Sequence, residues 1–170
     1  MDAKDLIVTG FAEYLRLFKQ WNVLNYNEVM RNAAKHGNIN VIKLCKQLGA
    51  TNFDCAMVCA TSGGYIDIVE QCKKWGATKY NWAITDAAEG GHIDIVKLCK
   101  EWGATDFDGA MAGAAGNGHL DIVKLCKEWG ATNFGWAMRR AADNRHYDIA
   151  QLCKEWKKIA ATPEDFDCDM

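Results

Sequence analysis

Apolar and polar positions along this chain alternate in two short phases that recur together. In residues 79–105, KYNWAITDAAEGGHIDIVKLCKEWGAT, the apolar Trp82, Ile84, Ala87 and Ala88 fall on one side of a first predicted helix. Asn81 stands where it can cap that helix by accepting from exposed backbone N–H groups, as Asp54 and Asp108 can in their own segments. Gly91 ends it, because glycine tolerates the left-handed backbone of a tight turn. The second helix is predicted from His92 to Trp102. Its stripe is Ile93, Val96, Cys99 and Trp102 at successive steps of three, widened by Ile95 and Leu98, with Lys97, Lys100 and Glu101 pointing away. Gly103 stops it.

The same pattern returns every 27 residues. Trp75, Trp102, Trp129 and Trp156 form one column, extended backwards by Leu48 and Trp21. Cys45, Cys72, Cys99, Cys126 and Cys153 form a second, with Phe18 in front, and Tyr26, Phe53, Tyr80, Phe107 and Phe134 a third. The units are 25–51, 52–78, 79–105, 106–132 and 133–159. Residues 1–24 read as a degenerate N-terminal capping repeat, with Gly10 in register with Gly37, Gly64, Gly91 and Gly118; one amphipathic helix through 3–20 is the alternative. Each helix-turn-helix has too little apolar surface to stand alone, so the units stack into an all-α solenoid roughly 50–60 Å long.

GHIDIVKLCKEWGA at 91–104 and GHLDIVKLCKEWGA at 118–131 resemble the second half of an ankyrin repeat, and AAEGGH and AAGNGH the end of its first helix and its turn. The ankyrin unit has about 33 residues and opens on Thr-Pro-Leu-His; here CAMV, WAIT, GAMA and WAMR stand in that place. The missing residues fall after Gly-Ala-Thr, where the family extends a β-hairpin finger. The resemblance thus implies an ankyrin-type helix-turn-helix solenoid with shortened finger loops, similar to the Cys- and Trp-bearing repeat proteins of large DNA viruses. It implies protein binding through the first-helix face, and a viral host-interaction protein acting in host cytoplasm.

Charge narrows the partners. Twenty Lys and Arg against 22 Asp and Glu leave a net charge of −2, so no general footprint for nucleic acid or anionic membranes exists. The N-terminus, MDAKDLIVTGFAEYL, lacks the features of a secretory signal, and no apolar run approaches a membrane span. Eight cysteines without an export signal suit a reducing, intracellular and cytoplasmic home. A monomer is expected.

The recurring thiols and histidines are candidates for chemistry, but spacing argues against it. Equivalent positions in neighbouring units lie about 8–10 Å apart, too far for a disulfide or a shared zinc. The cysteine column is read as core, and His92, His119 and His146 as hydrogen-bonding between units. Cys55 and Cys59, four apart on one first helix, make a two-thiol metal signal too sparse to adopt. No cofactor, metal or catalytic residue is assigned, and the chain is not read as an enzyme.

Scaffold positions stay alike between copies while surface positions drift, so drift marks the candidate interface. On the first helices the drifting pairs are Arg31 and Asn32, Val58 and Cys59, Thr85 and Asp86, Ala112 and Gly113, and Arg139 and Arg140. Trp82 and Trp136 share a column with Glu28, Cys55 and Gly109, a range incompatible with full burial; exposed tryptophans are candidate anchors. The expected partner-binding set is Arg31, Asn32, Val58, Cys59, Trp82, Thr85, Asp86, Trp136, Arg139 and Arg140. Arg145 replaces the turn glycine and adds to a basic last unit. After Trp156 the repeat fails, with Lys157 where the stop glycine belongs, and 160–170 read as an acidic tail. The alternative to an interaction scaffold is a structural spacer within a larger assembly.

Overall fold

A computed structural model describes residues 25–161; the capping repeat at 1–24 and the acidic tail from 162 onward lie outside the described residues. The chain is an all-α helical-repeat solenoid. Its helices are α1 Tyr26–Lys35, α2 Ile39–Gln47, α3 Phe53–Ser62, α4 Ile66–Lys74, α5 Tyr80–Glu89, α6 Ile93–Glu101, α7 Phe107–Gly116, α8 Leu120–Glu128, α9 Phe134–Asp143 and α10 Tyr147–Ala161. Odd-numbered helices are the first helices of the repeats and even-numbered helices the second. Neighbouring first helices pack on one another along the stack far more extensively than neighbouring second helices do. Alanines at their interfaces, such as Ala83, Ala87, Ala110, Ala114 and Ala137, are fully buried and let those backbones approach.

The core runs continuously through the five repeats. Ile68, Val69, Cys72, Val96, Cys99, Val123 and Cys126 from second helices meet Met30, Met57, Ile84 and Met111 from first helices, all fully buried. Every column cysteine, Cys45, Cys72, Cys99, Cys126 and Cys153, is completely enclosed, which suits a thiol acting as a small apolar side chain. The column tryptophans are not. Trp75, Trp102, Trp129 and Trp156 are only half-buried. Each instead sits against the aromatic that opens its own repeat, as in Phe53–Trp75 at 5.4 Å and Tyr80–Trp102 at 5.8 Å between centroids. A lysine of the preceding repeat covers the other side: Lys73 Nζ lies 4.6 Å from the Trp102 ring and Lys100 Nζ 4.4 Å from that of Trp129. Lys100 therefore does not simply point away; it ties one repeat to the next, worth about 0.5–1 kcal/mol in so exposed a setting.

Second helices end in a Schellman arrangement. In α6 the N–H of Gly103 donates to Lys100 O and that of Ala104 to Cys99 O, both at 2.9 Å, with Gly103 at φ +99°. At position 157 a lysine stands instead, and α10 continues to Ala161. Arg145 takes the left-handed conformation itself, at φ +67°.

The capping expectation needs correction. The caps lie two residues earlier: Asn25, Asn52, Asp106 and Asn133 accept from their own first turns, and Lys79 precedes α5 without a side-chain cap. Asn81, Asp54 and Asp108 reach across to the next repeat. Asp54 accepts from Thr78 N at 2.6 Å and Lys79 N at 3.0 Å; Asn81 from Thr105 N at 2.7 Å and Asp106 N at 3.3 Å; Asp108 from Thr132 N and Asn133 N, both at 2.7 Å. Asn27 does the same for Thr51 and Asn52, at 2.8 and 2.9 Å. These acceptors satisfy the linker N–H groups that a shortened connection leaves unpaired.

Removing such a clamp costs two hydrogen bonds between repeats. Asp108→Ala is expected to lower stability by about 1–3 kcal/mol, read from urea unfolding. Asp108→Asn should lose less, since Asn27 and Asn81 fill the same role with an amide.

Candidate functional site

The first-helix face carries the drifting residues, and the structure divides them. Arg31 and Asn32 on α1 are exposed, Val58 and Cys59 on α3 and Thr85 and Asp86 on α5 are half-buried, Arg139 on α9 is exposed and Arg140 half-buried. Trp82 is 66% exposed and Trp136 39%, as expected of a column that also holds Glu28, Cys55 and Gly109. Ala112 and Gly113 on α7, expected on the same open face, are fully enclosed. A strap across the fourth repeat covers Gly113. Arg140 Nη2 donates to Glu89 Oε1 at 3.0 Å, joining α9 to α5 over α7. Small residues make room for it: a Cβ at Gly113 would come within 2.6 Å of Glu89 Cγ, and one at Gly116 within 2.9 Å of Arg140 Nε. Arg140 Nε is itself buried with no acceptor, so this arginine is committed to its neighbours more than to solvent.

The first three repeats remain open. Between them lies a depression of about 300 Å³ lined by Arg31, Asn32, Lys35, Cys59, Ser62 and Asp86. The Asp86 carboxylate has no hydrogen bond or ion pair among the described residues; burial first, and then the nearby Glu89 carboxylate, hold its carboxyl above the usual range. Burial, followed by the charge and hydrogen bond of Cys55, pushes the Cys59 thiol up. Sequence drift missed Lys35, Ser62 and Glu89, yet their column, continued by Gly116 and Asp143, varies as widely as the columns chosen. Thr85 turns inward, its hydroxyl donating to Asn81 O at 3.0 Å. Trp82 lines a separate depression of about 250 Å³ with Thr78, Lys79, Tyr80, Asn81 and Gly103.

The repeating polar residues serve the stack. His92 Nε2 lies 3.2 Å from Ser62 O and His119 Nε2 3.1 Å from Glu89 O, each donating to the end of the preceding repeat's first helix. These are the inter-unit bonds expected of His92 and His119. Among the described residues no group of three or more His, Cys, Asp and Glu is arranged to hold a metal, and no helix is long and apolar enough to cross a membrane. Compared with known proteins, the chain matches no family model and no curated protein.

The enclosed thiols set an alkaline limit. Burial pushes Cys72, Cys99 and Cys126 up to about 12, and Cys45 and Cys153 to about 11, from an ordinary 9.0. The folded chain thus holds these protons after the unfolded chain has released them. Stability from this source is fully present below pH 9 and is lost as pH rises towards 12. In reducing buffer the urea midpoint should fall progressively across that interval. Cys99→Ala, which removes one of the thiols, should show a shallower fall than wild type.

Proposed function

We propose that the chain is a shortened ankyrin-type repeat module that binds a protein partner through its first-helix face. The observation that carries this reading is the contrast between the two kinds of position. Linker clamps, histidines and aromatic–lysine contacts repeat from unit to unit and hold the stack, while Arg31, Asn32, Cys59, Trp82, Asp86, Trp136 and Arg139 vary at exposed or half-buried positions of the first helices. A rigid scaffold presents such residues without ordering them on binding, which lowers the entropic cost of association. Exposed tryptophans are the side chains most often found at interface hot spots. The near-neutral charge favours protein over nucleic acid or membrane, and the many free thiols suit work inside the cell as a monomer. The viral resemblance of the KLCKEWGAT wording supports a host protein as the partner.

Affinity capture from cell lysate tests the reading with three proteins. Wild type and a second-helix control, Lys97→Glu with Lys124→Glu, should recover the same specific partner. Trp82→Ala combined with Trp136→Ala and Arg139→Glu should lose it at unchanged helical circular dichroism. Arg140 is left intact because it holds Glu89. Equal recovery by all three would remove the first-helix face from consideration, and no specific recovery by any would favour the spacer reading.

A further inference from the structure

The acids of α5 on the first-helix face differ in their pairing. Glu89 is taken by Arg140. Asp86, one turn away on α5, has no cation, and Lys35 pairs with no acid among the described residues. Arg31 meets only Glu28, at 3.3 Å, with both side chains about half exposed at 47% and 59%; such a surface pair contributes little and yields readily to a better acceptor. The result is a positive wall on α1 and a negative wall on α5, flanking the neutral Cys59 and Ser62 of α3 in one depression.

Resting on the reading above, we infer that this depression seats an extended segment of the partner protein carrying an acidic residue for Arg31 and Lys35 and a basic residue for Asp86. The span between the charges sets the form of the segment. The charged walls are two packing steps apart, roughly 16–20 Å; at about 3.3 Å per residue an extended chain covers this in five or six residues. The Arg140–Glu89 strap closes the face at the fourth repeat, so the segment is confined to the first three. Opposed charges also fix its direction, because reversing the segment would set like charges against each other.

Display of random nine-residue peptides against the whole chain tests this. Wild type should enrich peptides with Asp or Glu and, four to six residues away in one consistent order, Lys or Arg. Their affinity should fall about tenfold or more for Arg31→Glu with Lys35→Glu. Asp86→Asn, which preserves shape, should weaken them several-fold without affecting circular dichroism. Selection on Arg31→Glu, Lys35→Glu, Asp86→Lys should return the opposite order. Enrichment of uncharged peptides, equal binding to wild type and variants, or no enrichment would each overturn the inference. A lysate partner lost on Trp82, Trp136 and Arg139 substitution yet indifferent to these charge reversals would overturn it too, while leaving the broader reading standing.

Discussion

The linker clamp is the interaction on which the stack depends. A unit of 27 residues has only a few residues between one second helix and the next first helix, too few for backbone groups to pair with one another in a hairpin. Two consecutive linker N–H groups therefore need an acceptor from elsewhere. The second residue of the preceding first helix supplies it: Asn27, Asp54, Asn81 and Asp108 each take both donors with one side-chain oxygen. That single oxygen sets where each repeat begins relative to the last. The lysine-on-tryptophan and histidine-to-carbonyl contacts then meet in register.

The fifth repeat shows what happens when the clamp is absent. Its clamp position is Gly135, which has no acceptor to offer, and its stop position is Lys157. Both departures bear on the same piece of backbone. Without the stop glycine the helix does not turn, and with no turn there is no linker to hold; α10 runs on through Ala161. The Lys157 side chain passes within ordinary contact of where a Cβ at 135 would be, Nζ at 3.6 Å. One change in connectivity thus accounts for two unusual residues.

Period, helix pairing, the buried thiol column and the inter-unit histidines were legible in the sequence because each depends on register alone. The errors came where register does not determine direction. An Asn or Asp near a helix start can face its own N–H groups or a neighbour's, and Asn81 does the latter. A stripe at steps of three drifts by about 60° per step on a helix of 3.6 residues per turn, so Val96 and Cys99 reach the core while Ile93 and Trp102, at the two ends of the stripe, are only partly buried. At the candidate site, Arg31, Cys59 and Asp86 could be proposed from drift, and Lys35, Ser62 and Glu89 were available by the same signal. The strap was beyond reach, since its partners are 51 residues apart and belong to repeats that are not adjacent.

That strap also explains the composition of the fourth repeat. FDGAMAGAAG is the least bulky of the first helices, and two of its three glycines meet the strap. Gly113 and Gly116 lie directly beneath Glu89 and Arg140, so a side chain at either place would displace one half of the pair. The pair is about 40% exposed on each side and contributes little to stability on its own. Its consequence is positional: Glu89 is held towards the fourth repeat, and among the described residues the acid that lines the depression with Arg31 and Lys35 is Asp86. A weak surface contact thereby decides which charges stand unpaired on this face, without altering the scaffold that carries them.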